Sequence, residues 1–169
     1  MPTELNDGID VWRAEPGVAI FGLAGEHDDY SAPKLARELA TALEEGLHLV
    51  VDLRQATFLG STSVATLLAA RRTAAERELD LAVVIDEVTA WPVRRLFELA
   101  HLAEVLPIVQ GVDAAIARSR VARASAERRS GGERRAGRER RLEASLLQAA
   151  ERRTGFERRS GADRRADYP

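Results

Sequence analysis

The chain has 169 residues, of which 45% are hydrophobic, 5% aromatic and 31% charged, with a formal net charge of −2; that length holds one domain of ordinary size, or a smaller domain with an appendage, and not comfortably two. With no cysteine there is no disulfide, thiolate metal site, cysteine nucleophile or thiol switch, which suits a reducing cytoplasm. No apolar run approaches the roughly 18 residues of a membrane span, and the N-terminus is acidic where a signal peptide is basic, so the sequence reads as neither exported nor embedded.

In chain order, apolar alternation at Ile9, Val11 and Ala14 turns at Glu15-Pro16-Gly17 into Val18, Ile20 and Leu23, which predicts two antiparallel strands. Ser31 then supplies an N-cap and Pro33 an early proline for a helix in which Leu35, Leu39 and Leu43 recur every four residues until Gly46. Residues 47–53 are nearly all apolar and read as a buried strand, bounded by Gly46 and the polar pair Arg54-Gln55. After Gly60, Ser61 is expected at the N-cap of a second helix, with Val64, Leu67 and Leu68 on one face and Arg71, Arg72, Glu76, Arg77 and Glu78 dominating the remainder. Residues 81–85 form another strand pattern. A third helix follows, with Pro92 in its first turn and Val93, Leu96, Phe97 and Ala100 on one face. A short strand over 105–109 and a last helix over 112–117 complete the order β-β-α-β-α-β-α-β-α. That order predicts an α/β fold: a mostly parallel central sheet of about five strands with four helices packed against it through right-handed crossovers.

Charge divides the chain after Ala117. Residues 1–117 carry 9 basic and 19 acidic groups, net −10, and residues 118–169 carry 16 basic and 8 acidic groups, net +8. All but one of the 25 basic residues are arginine, Lys34 being the exception. Past Ala117, Glu-Arg-Arg starts at 127, 133, 139, 151 and 157, with Asp-Arg-Arg at 163, a six-residue period. Within the repeats Phe156 is the only large apolar side chain, so a β-helix lacks its inward residue at each turn, and the recurrent glycines disfavour one long helix. The segment is expected to be a disordered Arg/Glu/Gly-rich tail, with a short helix near 142–150. The division places one domain over 1–117 and the tail over 118–169. An anionic partner, nucleic acid or a membrane surface, suits the basic tail, as does docking onto the acidic part of the same chain.

Enzyme constellations are mostly absent. His27, His48 and His101 have no metal-ligand spacing, and no dinucleotide fingerprint or Walker lysine is present, so the sequence predicts no catalytic residue, cofactor or metal. The acidic cluster Glu26, Asp28 and Asp29 has the charge to hold a divalent cation, but reads more simply as a solvated turn leading into the first helix. Ser61 is singled out because backbone N–H groups and the helix dipole at a helix start stabilise an anion, and would receive a phosphate on its hydroxyl.

Joined together, Gly25-Glu-His-Asp28-Asp-Tyr-Ser-Ala-Pro33-Lys-Leu35, Val50-Val-Asp52-Leu, Phe58-Leu-Gly-Ser61-Thr-Ser-Val64-Ala-Thr-Leu67 and Val93-Arg-Arg-Leu96-Phe-Glu-Leu99 resemble a STAS domain over roughly residues 9–117. More narrowly, they resemble the bacterial anti-sigma factor antagonists. The resemblance implies a switch in which an anti-sigma factor with serine kinase activity phosphorylates Ser61 and so releases the antagonist, a serine phosphatase reversing the modification. It also implies a partner surface made by Asp28, Gly60, Ser61, Thr62, Ser63 and the exposed face of the second helix. The family usually has Asp before the serine and Gly two places after it. Here Gly60 and Ser63 stand there, which leaves Thr62 and Ser63 as alternative acceptors. A STAS scaffold in a stress-signalling assembly, or a nucleic-acid- or membrane-associated regulator working through the tail, is the alternative reading.

Overall fold

The computed structural model describes residues 8–130 and 140–141; the hexad repeats beginning at 133, 151, 157 and 163, most of the one beginning at 139, and the expected helix near 142–150 lie outside the described residues. The chain divides into two compact units, residues 1–125 and 126–169. In the second, residues 126–130 and 140–141 are helical, and the Ser130 hydroxyl donates to the Glu127 carbonyl at 3.1 Å.

The first unit contains strands β1 (Gly8–Glu15), β2 (Val18–His27), β3 (His48–Leu59), β4 (Leu81–Val84) and β5 (Ile108–Val109). Between them run helices α1 (Ala32–Glu44), α2 (Ser61–Glu76) and α3 (Trp91–Leu99), with a 3₁₀ turn at Leu102–Glu104. Residues 112–130 are helical, of which 112–125 belong to this unit and are called α4. The sheet order is β1-β2-β3-β4-β5; β1 is antiparallel to β2, and every later neighbour is parallel. This is the α/β arrangement that the alternation of segments predicts.

Period-two alternation sorts the strands' side chains onto two faces. Phe21, Leu23, Leu49, Val51, Leu81 and Val83 join Leu35 and Leu39 of α1, Leu67 of α2 and Val93 and Phe97 of α3 in the larger core. Val18, Ile20, Val50, Ala82 and Val84 point the other way and are closed by Ala115, Val112 and Ile116 of α4. The strands are thus apolar on both sides, which is why β3 and β4 read as continuous hydrophobic runs.

Two elements exceed their predicted length. Strand β3 does not stop at Arg54-Gln55. Gln55, Ala56, Phe58 and Leu59 continue the pairing with Ala24, Gly25, Glu26 and His27, across two irregularities in register. Arg54 is accommodated because its guanidinium clasps the Asp52 carboxylate at 2.7–3.2 Å, while Ala56 and Leu59 enter the core. The last helix does not stop at Ala117. Ser119 is buried and donates to the Ala115 carbonyl at 3.1 Å, and Arg118 Nε lies 2.7 Å from Asp80 Oδ2. Arg120 Nε meets Glu15 Oε2 at 2.8 Å, and Arg123 donates to the Pro16 carbonyl at 2.7 Å. Arginines that composition alone assigns to the basic tail fasten this helix to the turn between β1 and β2 and to the entrance of β4.

Candidate functional site

The start of α2 stands where β2 and β3 end together. His27 closes β2 and Leu59 closes β3, and the Gly60 N–H donates to the His27 carbonyl at 2.7 Å. Gly60 is extended, at φ −75° and ψ 163°, and its carbonyl already accepts the Val64 N–H at 3.1 Å. It therefore occupies the half-helical N-cap position, and Ser61, expected there, is the first fully helical residue. Having no side chain, Gly60 supplies no capping bond. A Cβ at 60 would come to 3.3 Å from the His27 carbonyl oxygen, 3.4 Å from Asp28 Cα and 3.7 Å from the Phe58 ring, so the β2–α1 loop is packed close against this residue.

The three consecutive hydroxyls meet three environments. Ser61 is exposed. Thr62 is exposed as well, but its hydroxyl donates to the Asp29 carboxylate, tying the β2–α1 loop to the first turn of α2. Ser63 is fully buried and donates to the His27 carbonyl at 3.1 Å. One carbonyl, at the end of β2, thus accepts from both Gly60 and Ser63 and anchors the helix start.

Asp28 organises the loop beside it. Its Oδ1 accepts the N–H of Tyr30 at 2.9 Å and of Ser31 at 3.3 Å, an Asx-type turn, and its carbonyl accepts the Ala32 N–H at 3.1 Å. Ser31, expected to cap α1 with its side chain, turns its hydroxyl back to the Asp28 carbonyl instead and makes no capping bond. The carboxylate of Asp28 is thus engaged in shaping the loop, whereas Tyr30 beside it is 94% exposed.

The histidines are scattered, as their spacing implies. His27 is the buried last residue of β2, with Nε2 3.2 Å from the Ala24 carbonyl. His48 is buried at the start of β3, where Nδ1 accepts the Asp80 N–H at 3.0 Å. His101 lies exposed in the left-handed region after α3, at φ 51° and ψ 34°.

Chemically, the first-turn N–H groups of α2 and its helix dipole favour an anion on the Ser61 hydroxyl, and Asp29, held against Thr62, opposes one. The resemblance implies a partner surface of Asp28 and residues 60–63; in the structure Asp28, Gly60, Ser61 and Thr62 gather at the start of α2, whereas Ser63 is buried. Sequence reasoning did not foresee that Asp29 bridges to Thr62. The acidic run around Asp29 was the only signal for this, and it carries no information about which residue lies across the loop.

Comparison with known proteins gives three findings. The family model described as STAS domain matches residues 11–115. The "Anti-sigma-B factor antagonist" of Listeria monocytogenes is 29% identical over 107 residues, covering 62% of this chain and 90% of that protein. Among solved structures, an anti-sigma factor antagonist from Mycobacterium paratuberculosis superposes with a TM-score of 0.59 at 26% identity, covering 68% of this chain and 97% of that one. Phosphorylated SpoIIAA from Bacillus, with a TM-score of 0.53 at 16% identity over 66% of this chain and 98% of its own, shares the fold.

Proposed function

The chain belongs to the STAS domain family, and on that footing we propose that it is an anti-sigma factor antagonist, a non-enzymatic cytoplasmic switch on sigma-factor availability controlled by phosphorylation of Ser61. The unmodified protein binds an anti-sigma factor with serine kinase activity and so frees a sigma factor. The kinase then transfers the γ-phosphoryl group of ATP: a bond forms between Ser61 Oγ and phosphorus, the bond to the leaving ADP breaks, and the hydroxyl proton passes to a base on the kinase. A serine phosphatase restores the hydroxyl.

The observation that carries this reading is the exposure of Ser61 on the first turn of α2, while its neighbours are engaged. Burial of Ser63 and the Thr62–Asp29 hydrogen bond favour Ser61 over either alternative. A phosphate adds about −1.5 to −2 charges and places them on the surface formed by Asp28, Gly60, Ser61 and Thr62; Ser63, expected on that surface, is buried beneath it and is not part of it. Contacts complementary to the neutral hydroxyl are then opposed by charge and by hydration. The helix dipole offsets part of that cost within this chain, so the phosphorylated fold persists while the interface does not.

The test is incubation of the purified protein with the anti-sigma serine kinase of its own cell and radiolabelled ATP. Label is expected on Ser61, none on a Ser61→Ala variant, and weaker kinase binding by Ser61→Asp. Label retained by Ser61→Ala sinks the assignment.

A further inference from the structure

Three rows of residues cross β1, β2 and β3 on the sheet face that α4 packs against. Strand pairing puts Trp12, Ile20 and Val50 in one row, Asp10, Gly22 and Asp52 in the next, and Gly8, Ala24 and Gln55 in the third. Helix α4 closes the first row over Ile20 and Val50. Over the other two a cavity of about 110 Å³ stays open, to which Asp10, Trp12, Gly22, Ala24, Asp52 and Gln55 contribute and no residue of α4 does. Helices α1, α2 and α3 pack on the opposite face, so the cavity lies apart from the surface around Ser61. A Cβ on Gly22 would come to 3.0 Å from Cζ3 and 3.2 Å from Cη2 of Trp12, so a glycine in mid-strand is what lets the indole lie across β2. The carboxylates flanking that glycine stand two strand spacings apart, about 10 Å between their Cα atoms.

The two carboxylates differ. Asp52 is buried, and both its oxygens are clasped by Arg54, which does not line the cavity. Asp10 is exposed, and among the described residues its carboxylate has no hydrogen-bond or ion-pair partner. Two carboxylates and one guanidinium leave one negative charge. Asp86 and Asp113 add to it from nearby: with the Asp52 hydrogen bonds as the chief cause, they hold the Arg54 pKa above its ordinary value. No group of three ligating side chains that could hold a metal ion occurs among the described residues.

We propose that this cavity binds the guanidinium of an arginine, laid flat on the Trp12 indole with its N–H groups toward Asp10 and Asp52. A planar cation stacks on an indole face while its donors reach acceptors around its edge, which an ammonium, compact and strongly hydrated, does less well. Guanidinium has donors and no acceptor, and the carboxylates and the Gln55 amide oxygen offer acceptors. Its single positive charge matches the single uncompensated negative one. The guanidinium comes either from free arginine or from an arginine within a polypeptide; the α-carboxylate of the free amino acid is disfavoured by the surrounding acidic groups, and the blocked residue of a polypeptide lacks it.

The test is fluorescence titration of the full chain carrying Trp91→Phe, in which Trp12 is the only tryptophan left of two. The probes, at constant ionic strength, are N-acetyl-L-arginine amide for a polypeptide arginine, L-arginine for the free amino acid, and N-acetyl-L-lysine amide. The arginine amide is expected to change the Trp12 emission saturably, and the lysine amide to bind about tenfold more weakly. Asp10→Asn removes the unpaired charge from an exposed position and is expected to weaken binding about fivefold. Gly22→Ala pushes the indole aside and is expected to abolish saturation; thermal melts report that each variant keeps the fold. Glu44→Gln removes an exposed charge from α1, on the opposite face, and is expected to leave the titration unchanged. Tighter binding of the arginine amide than of L-arginine assigns the ligand to a polypeptide, and the reverse order to the free amino acid; the guanidinium site stands in both. A linear, unsaturable response to both arginine probes overturns the site. Equal binding of the lysine amide overturns the guanidinium assignment, and wild-type binding by a folded Asp10→Asn overturns the placement between the two carboxylates.

Discussion

Ser63 and His48 illustrate how a polar group is made useful inside a sheet protein. The Ser63 hydroxyl spends its hydrogen bond on the His27 carbonyl, so Ser63→Ala is expected to lower stability by about 1 kcal/mol and to leave phosphate incorporation at Ser61 unchanged, read by urea unfolding and by labelling. Were the label to fall with Ser63→Ala in a fully folded protein, Ser63 would share the acceptor role. For His48, burial holds the imidazole pKa below its ordinary 6.5; the Asp80 carboxylate opposes that effect and Arg123 adds to it. Between the lowered native value and about 6.5 the unfolded chain binds a proton that the folded chain refuses. The contribution of His48 to stability is therefore whole above pH 6.5 and falls as the pH drops through that value toward the native pKa. Calorimetric Tm is expected to be lower at pH 5.5 than at 7.5. His48→Gln, whose amide oxygen can accept the Asp80 N–H, should show a flatter dependence.

At the scale of elements, α4 is the part whose role is least apparent from its composition. Its apolar stripe is short, Val112, Ala115 and Ile116, yet it closes a whole face of the sheet. Polar fastenings complete the attachment. The Asp80 side chain is only 7% exposed and meets Arg118 at 2.7 Å and Arg71 at 3.5 Å, a carboxylate shared by two guanidinium groups. Removing a partner from a buried charge costs several kcal/mol, but Arg118 is itself 43% exposed and Arg71 remains. Arg118→Ala is accordingly expected to cost about 1–2 kcal/mol in urea unfolding. In the Arg120–Glu15 pair the guanidinium is 64% exposed, and pairs open to water contribute little, so Arg120→Ala should leave the urea midpoint nearly unmoved. The reverse order of effects would mean that the exposed pair, and not the buried carboxylate, holds α4.

For the whole molecule, the change of charge along the sequence and the limit of folded structure do not coincide. Net charge reverses after Ala117, whereas the first compact unit runs to Ser125. A chain ending at residue 117 loses Arg118, Ser119, Arg120 and Arg123 together, and one ending at 125 keeps them. The shorter chain is expected to melt roughly 5–10 °C below the longer one, and equal melting temperatures would show that residues 118–125 contribute nothing to the fold. The sequence by itself determined what depends on near neighbours: element order, the apolar runs of the buried strands, and a serine where a helix begins. Periodicity and turn chemistry act over a few residues, so they are legible without coordinates. Only the tertiary structure decided how far β3 and α4 extend, which of three adjacent hydroxyls is buried, and that Asp29 reaches Thr62 across 33 positions of chain. Those outcomes depend on which distant segment lies opposite, and on whether it offers a carbonyl, a carboxylate or open solvent, a matter of strand register and packing that local sequence does not contain.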